Sequence, residues 1–358
     1  MRILHVAGAR PNYMKVAPLM RALAARDGVE QFLVDTGQHY DHALSEIFRD
    51  ELALPEPYAR LGVGSGTHAE QTADVMRRLE PVIVDVRPDW VVVPGDVNST
   101  LAAALTAVKL GVPVAHVEAG LRSGDRAMPE EINRIVVDRI ADLLLTPSPD
   151  ADENLRAEGV DDDRIHRVGN VMIDSLVALL PRAQQRYPAL RELHDLDGPF
   201  VLVTLHRPTN VDEPESFQEI GSALEALAEH VDVVFPMHPR TRARSGAALR
   251  ASPRLRILEP LGYLDFLALE THASVVLTDS GGVQEETTWL GVPCLTVRTT
   301  TERPITVTEG TNALVAADTA LLVAGVTAAL ARGSTAARTP ELWDGHAAER
   351  IASVLLER

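Results

Sequence analysis

Apolar residues in this chain fall into short unbroken runs, separated by longer stretches where they recur every three or four positions. The runs at 2–7, 31–36, 90–93, 113–117 and 143–146 read as buried strands. Each is apolar on both faces and too short for a helix. Between them, 12–26, 67–85 and 98–109 carry amphipathic helical spacing, which in the first shows in Met14, Ala17, Leu19 and Leu23. From Asp150 to Pro199 the chain turns polar and helical, with Pro181, Pro188 and the acidic run Asp161–Asp163. The alternation then restarts, with strands expected at 200–205, 231–235, 255–258, 275–278, 293–297 and 313–316. Helices are expected at 283–290, 318–332 and 341–357. Strands alternating with helices predict mostly parallel sheets with right-handed crossovers. A length of 358 residues and the restart both predict two domains. The expected division is 1–169 and 170–358, with a hinge near Gly169 and the last helix free to pack back on the first domain. The fold class is α/β: two doubly wound Rossmann-like domains facing a central cleft lined by strand-end loops of both.

Composition narrows the partners. Asp and Glu number 51 against 34 Lys and Arg, a formal net charge of −17. Nucleic acid and anionic membranes are poor partners for such a chain, and an anionic small ligand would need a locally basic site. The single cysteine, Cys294, lies inside an apolar run and reads as a core residue of a protein in a reducing compartment. No run approaches the length of a membrane span, and the opening run is too short for a signal peptide. A cytoplasmic protein is expected.

The stretch His116–Arg134, HVEAGLRSGDRAMPEEINR, concentrates candidate chemistry. It carries the acids Glu118, Glu130 and Glu131 and the arginines Arg122, Arg126 and Arg134. Glu118 falls just past a strand's carboxyl end, where open α/β sheets bind ligands. Pro129 suits a first helical position, and Glu130 and Glu131 then sit in the first turn, favoured there by the helix dipole. Glu130 and Arg134 share a face, so a surface ion pair on a capped helix is an equally simple reading. Asp96 is another acid at a strand end, with turn chemistry as its plainer reading. Arg10 and Lys15 open the first helix, where cations oppose the dipole and an anionic ligand would explain them. The loop there is not GxGxxG. His206 and His238 follow strands, with Arg207 and Arg240 beside them, and read either as loop caps or as acids near a leaving group. Ser280-Gly281-Gly282 before a helix reads as an anion cradle or as a tight turn. Glu285 and Glu286 follow one turn in, where an acid can reach a ribose diol. No His or Cys pair has zinc spacing, so no metal site is expected.

With GARPNYMKVAPL, DSGGVQEE and TTERP beside the central stretch, the chain resembles the non-hydrolysing UDP-N-acetylglucosamine 2-epimerases along essentially its whole length. The resemblance implies the architecture of B-type glycosyltransferases, a homodimer, and interconversion of UDP-GlcNAc and UDP-ManNAc without metal or nicotinamide cofactor. It implies catalytic roles for Asp96, Glu118, Glu130 and His206, with Arg134 in support. It implies substrate contacts from Arg10, Lys15, His238, Ser280, Gly281, Gly282, Glu286 and Arg303, and places Phe266 near the uracil. The chain departs from the family at Asn12, where an acid is frequent, at Arg207-Pro208-Thr209, and in the loop 37–41. Those departures leave open control by a second UDP-GlcNAc and the decoration of the sugar.

The C2 proton of such a sugar is not adjacent to a carbonyl, so enolisation is unavailable. Elimination of UDP to a glucal, followed by re-addition, is the remaining route without a dinucleotide. It needs acids on both faces of the ring and donors for a departing diphosphate. A 2-epimerase of a diacetamido or uronic UDP-sugar, and a hydrolysing 2-epimerase, are the alternatives. A glycosyltransferase would need an acceptor and one base, and a UDP-sugar sensor would need none of these acids.

Overall fold

The computed structural model describes residues 1–38, 49–237, 241–242, 249, 252–333 and 339–358. Two compact units result: residues 1–177 with 341–358, and residues 178–340. The division falls within one long helix rather than at Gly169. Gly169 belongs to the first unit, with φ +87° and the Leu342 backbone pressed against the place a β-carbon would take.

The first unit is built on a seven-stranded sheet in the order β3-β2-β1-β4-β5-β6-β7, with every pair parallel. Its strands are β1 (Arg2–Ala7), β2 (Glu30–Asp35), β3 (Ala59–Arg60), β4 (Trp90–Pro94), β5 (Val114–Val117), β6 (Leu143–Thr146) and β7 (Ile165–Arg167). The helices are α1 (Arg10–Ala24), α2 (His68–Val86), α3 (Asn98–Lys109), α4 (Pro129–Ile140), α5 (Pro149–Ala157) and the first part of α6 (Val171–Leu193). Strands β4, β5 and β6 are buried along their whole length, as expected for a sheet covered on both faces. One face packs Val91, Val93, Val114 and Leu144 against Leu79, Ile83 and Ala103. The other packs Ile3, Val92, Ala115 and Leu145 against Leu19, Leu23, Ile351 and Leu355.

The second unit holds a six-stranded parallel sheet in the order β10-β9-β8-β11-β12-β13. Its strands are β8 (Phe200–Thr204), β9 (Asp232–Pro236), β10 (Leu255–Leu258), β11 (Val275–Thr278), β12 (Cys294–Val297) and β13 (Asn312–Val315). Helices α7 (Pro208–Val211), α8 (Pro214–Leu227), α9 (Tyr263–His272), α10 (Gly281–Leu290), α11 (Ile305–Thr308) and α12 (Thr319–Arg332) connect them. The closing helix α13 (Ala347–Leu356) returns to the first unit, where Trp343 is buried and donates from Nε1 to the Pro147 carbonyl at 3.0 Å. No helix of the described residues is long and apolar enough to cross a membrane.

In each sheet the strand order reverses once, between β1 and β4 and between β8 and β11. The exit loops on either side of such a reversal diverge, and the crevice between them is where doubly wound folds take ligands.

Candidate functional site

Each reversal point is bridged by one buried polar side chain. In the first unit Asn12 Oδ1 accepts from Gly8 N at 3.0 Å and Ala9 N at 2.9 Å, and Nδ2 donates to the Pro94 carbonyl at 3.0 Å. That amide ties the loop after β1 to the end of β4, where Asp96 follows. In the second unit Asp279 is fully buried and accepts from His206 N at 3.1 Å, Arg207 N at 2.9 Å and Asn210 Nδ2 at 3.0 Å. Its Oδ1 also lies 2.9 Å from His206 Nδ1. Burial would raise this carboxyl, but His206, Asn210 and Arg207 outweigh it and hold it below its ordinary range. The His206 ring, 62% exposed, is thereby aimed from the loop.

Three acids surround the first reversal. Glu118 leaves β5 with φ +71°, a costly conformation for a residue with a side chain, fixed by its N–H donating to Leu145 O at 3.0 Å. Its carboxylate is buried and ion-paired with buried Lys15. Asp96 is partly exposed and ion-paired with Arg134. Glu130 is half-buried and has no hydrogen bond or ion pair among the described residues. The Glu130–Arg134 surface pair allowed by the sequence does not form. Arg134 is buried and bonds instead to its neighbour, with Nη2 donating to Glu131 Oε2 at 2.8 Å. Glu131 also accepts from Ser123 N at 3.0 Å and Gly124 N at 2.9 Å. Burial would raise Glu131, but these backbone donors and Arg134 lower it, so it stays an anion with its lone pairs occupied. Glu131 is therefore the strut and Glu130 the acid left available.

Beneath these loops lies a pair that sequence reasoning missed. His116 is fully buried, with Nδ1 2.6 Å from Asp138 Oδ1 and Nε2 2.8 Å from the Gly95 carbonyl. Asp138 Oδ2 accepts from Gly120 N at 3.0 Å and Arg122 Nη1 at 2.7 Å. Burial opposes its charge, yet His116 and Arg122 hold it below the ordinary carboxylate range. The residue before Asp96 and the loop after Glu118 are thus anchored to one buried dyad.

In the second unit, α10 begins at Gly281 after Ser280, with free helix N–H groups and no acid in its first turn. Such an end attracts phosphate oxygens. Arg303 stands beside it, buried, with Nε donating to Glu285 Oε1 at 2.7 Å and Nη1 to Glu302 Oε1 at 2.5 Å. Glu302 also accepts from Arg298 at 2.7 Å, and these cations lower its carboxyl against the effect of burial. Glu286 is buried on the same helix and accepts from Tyr263 Oη at 2.8 Å, while Phe266 is half-buried on α9. Cys294 is a core residue whose thiol burial pushes up to about 12. His238 lies outside the described residues, as does the Arg10 side chain. Among the described residues no group of three or more His, Cys, Asp or Glu is disposed to hold a metal ion.

Known proteins similar to this chain identify its family. A family model described as UDP-N-acetylglucosamine 2-epimerase matches residues 21–356. The UDP-N-acetylglucosamine 2-epimerase of Methanocaldococcus jannaschii is 43% identical over 324 residues, covering 88% of each chain. A UDP-2,3-diacetamido-2,3-dideoxy-D-glucuronate 2-epimerase of Pseudomonas aeruginosa is 42% identical over 323 residues, 88% of this chain and 89% of its own. The crystal structure of the M. jannaschii UDP-GlcNAc 2-epimerase in complex with UDP-GlcNAc and UDP superposes with a TM-score of 0.92 at 40% identity, covering all of both chains. Through the matched model and these relatives, the chain belongs to the UDP-N-acetylglucosamine 2-epimerase family.

Proposed function

We propose that this protein interconverts UDP-N-acetylglucosamine and UDP-N-acetylmannosamine by eliminating UDP and re-adding it to a glucal. The observation that carries the reading is the set of three carboxyls: Asp96 and Glu118, just past the ends of β4 and β5, and Glu130 in the first turn of α4. Each has a different environment: Arg134 on Asp96, Lys15 on Glu118 and no partner among the described residues on Glu130. A reaction that removes a proton from one face of a ring and returns it to the other needs carboxyls of unequal character. The helix end at Ser280–Gly282 with Arg303 supplies donors for the diphosphate, and His206 supplies an acid for the leaving oxygen. Arg10, Lys15 and His238 are assigned to the phosphates, Glu286 to the ribose and Phe266 to the uracil.

Purified protein and UDP-GlcNAc in deuterium oxide, followed by proton NMR, should give UDP-ManNAc carrying deuterium at C2, with no added nicotinamide. Retention of protium at C2 would refute elimination, and accumulation of free ManNAc with UDP would make the enzyme a hydrolysing one. Similarity to the P. aeruginosa enzyme supports a second reading of the sugar with the same C2 chemistry. A diacetamido uronic UDP-sugar consumed faster than UDP-GlcNAc would select it. A cytoplasmic homodimer, serving polysaccharide synthesis, completes the proposal. Val84 on α2, Val108 on α3 and Leu110 just past the end of α3 are exposed, which supports a covered surface there, and light scattering gives the mass.

A further inference from the structure

Glu270 lies on α9, the helix that carries Tyr263 and Phe266. It is fully buried, and neither carboxyl oxygen finds a hydrogen-bond donor among the described residues. Its carboxyl lies against that of Glu286 on α10, whose Oε1 already accepts from Tyr263 Oη at 2.8 Å. The other titratable groups facing the pair are Glu285 on α10 and the neutral thiol of Cys294 on β12. Glu285 is neutralised by Arg303. Two carboxyls in contact away from water, with no cation between them, cannot both ionise. Burial first, then the charge of Glu286, pushes Glu270 well above the carboxylate range. Glu286 is raised too, chiefly by burial, with Tyr263 opposing.

We infer that Glu270 is a positioning residue of the nucleotide site: as a neutral carboxylic acid it donates to Glu286 and keeps Glu286 an anion available to the ribose diol. The inference rests on the reading of Glu286 as the ribose ligand. An ionised carboxylate offers about four lone-pair sites. Tyr263 and Glu270 fill one each, which leaves two for the 2′ and 3′ hydroxyls. An ionised Glu270 would offer no donor and would repel Glu286, while an apolar residue there would leave one lone pair in the dark. Below neutral pH Glu286 takes up a proton of its own. Binding of the diol must then expel that proton to solvent, so recognition of the diol weakens as pH falls.

The test compares UDP with 2′,3′-dideoxy-UDP by calorimetry on the full-length protein, since the ratio of the two affinities cancels ionisation of the phosphates. Wild type should prefer UDP by about tenfold or more near pH 8, and by less near pH 6. Glu270→Gln, whose amide donates from the same place, should keep the preference near pH 8, while Glu270→Met should lose most of it. Infrared spectra of wild type near pH 8 should show a neutral carboxyl band that Glu270→Gln lacks, a readout independent of binding. The inference is overturned if the Met variant keeps the preference, if the Gln variant loses it equally, or if no neutral carboxyl band is present. Absence of any diol preference in the wild type would instead remove Glu286 as the ribose ligand.

Discussion

A β-carbon at Gly281 would fall 2.5 Å from Arg303 Nη1 and 2.9 Å from Glu302 Oε1. That guanidinium cannot swing aside without leaving Glu285 and Glu302, two buried anions. Gly281→Ala should therefore displace Arg303 and weaken UDP binding by about tenfold in calorimetry, with little change in the apparent rate of C2 exchange at saturation. Asn12 presents the reverse case, a side chain whose nitrogen matters. Its amide accepts two N–H groups and donates to Pro94 O, whereas a carboxylate could accept but not donate. Asn12→Asp should cost about 1–3 kcal/mol, read from the denaturant midpoint, because a buried carbonyl loses its donor beside a new charge. An unchanged midpoint would mean that water replaces the amide.

The first turn of α4 separates two adjacent glutamates into different roles. Glu131 receives the N–H groups of Ser123 and Gly124 on one side and Arg134 on the other, and Arg134 holds Asp96. Glu131→Gln keeps the shape but removes the charge that orients Arg134. It should lower kcat by about ten- to a hundredfold while leaving the UDP dissociation constant near that of wild type, and Glu131→Asp should not rescue it. Glu130→Gln should lower kcat further, by orders of magnitude, since no hydrogen bond or ion pair among the described residues depends on its charge. From the sequence alone both carboxyls sit in the same turn, and only the resemblance favoured Glu130. Long apolar runs such as Trp90–Pro94 were legible because burial on both faces leaves an unmistakable pattern. The edge strands β3 and β7, of two and three residues, carry no period, and Ile165-His166-Arg167 has too little apolar content to stand out. The closing helix was expected from Glu341 but starts at Ala347, because Trp343 is drawn into the core and Gly345 turns with φ +81°. The His116–Asp138 dyad was invisible for another reason: its partners are 22 residues apart and meet only when β5 and α4 pack.

Stability of the whole molecule carries two opposed titrations. His5 is fully buried, and burial lowers its imidazole to about 4 although Gln31 works the other way. Its contribution is present above the unfolded value near 6.5 and is lost as pH falls toward 4. Asp174 is raised to about 6 by burial, against the N–H groups of Ala347 and Ala348 at the start of α13. Its contribution runs the other way, present below the unfolded value of 3.8 and lost as pH rises through about 6. Relative to wild type, His5→Gln should gain stability as pH drops from about 6.5 to 4, and Asp174→Asn should gain as pH climbs from about 4 to 6. Each difference is of the order of 3 kcal/mol, read from denaturant curves across pH. Parallel curves for variant and wild type would show that the residue titrates alike folded and unfolded.

Asp174 meets α13 only because the chain comes home: the first unit takes its last helix from residues that follow the whole of the second. During synthesis, therefore, the later half is finished first. Residues 178–340 are contiguous and can close as soon as they emerge, while the face formed by Ile3, Leu19, Leu23 and Trp90 still waits for Ile351 and Leu355. The half to which nucleotide binding is assigned by proposal is then born before the half that bears Asp96, Glu118 and Glu130, and a ribosome stalled near Pro340 would release a chain with an open greasy seam. Such a seam invites chaperones and proteases, so incomplete copies of this protein should be cleared rather than persist as idle UDP binders.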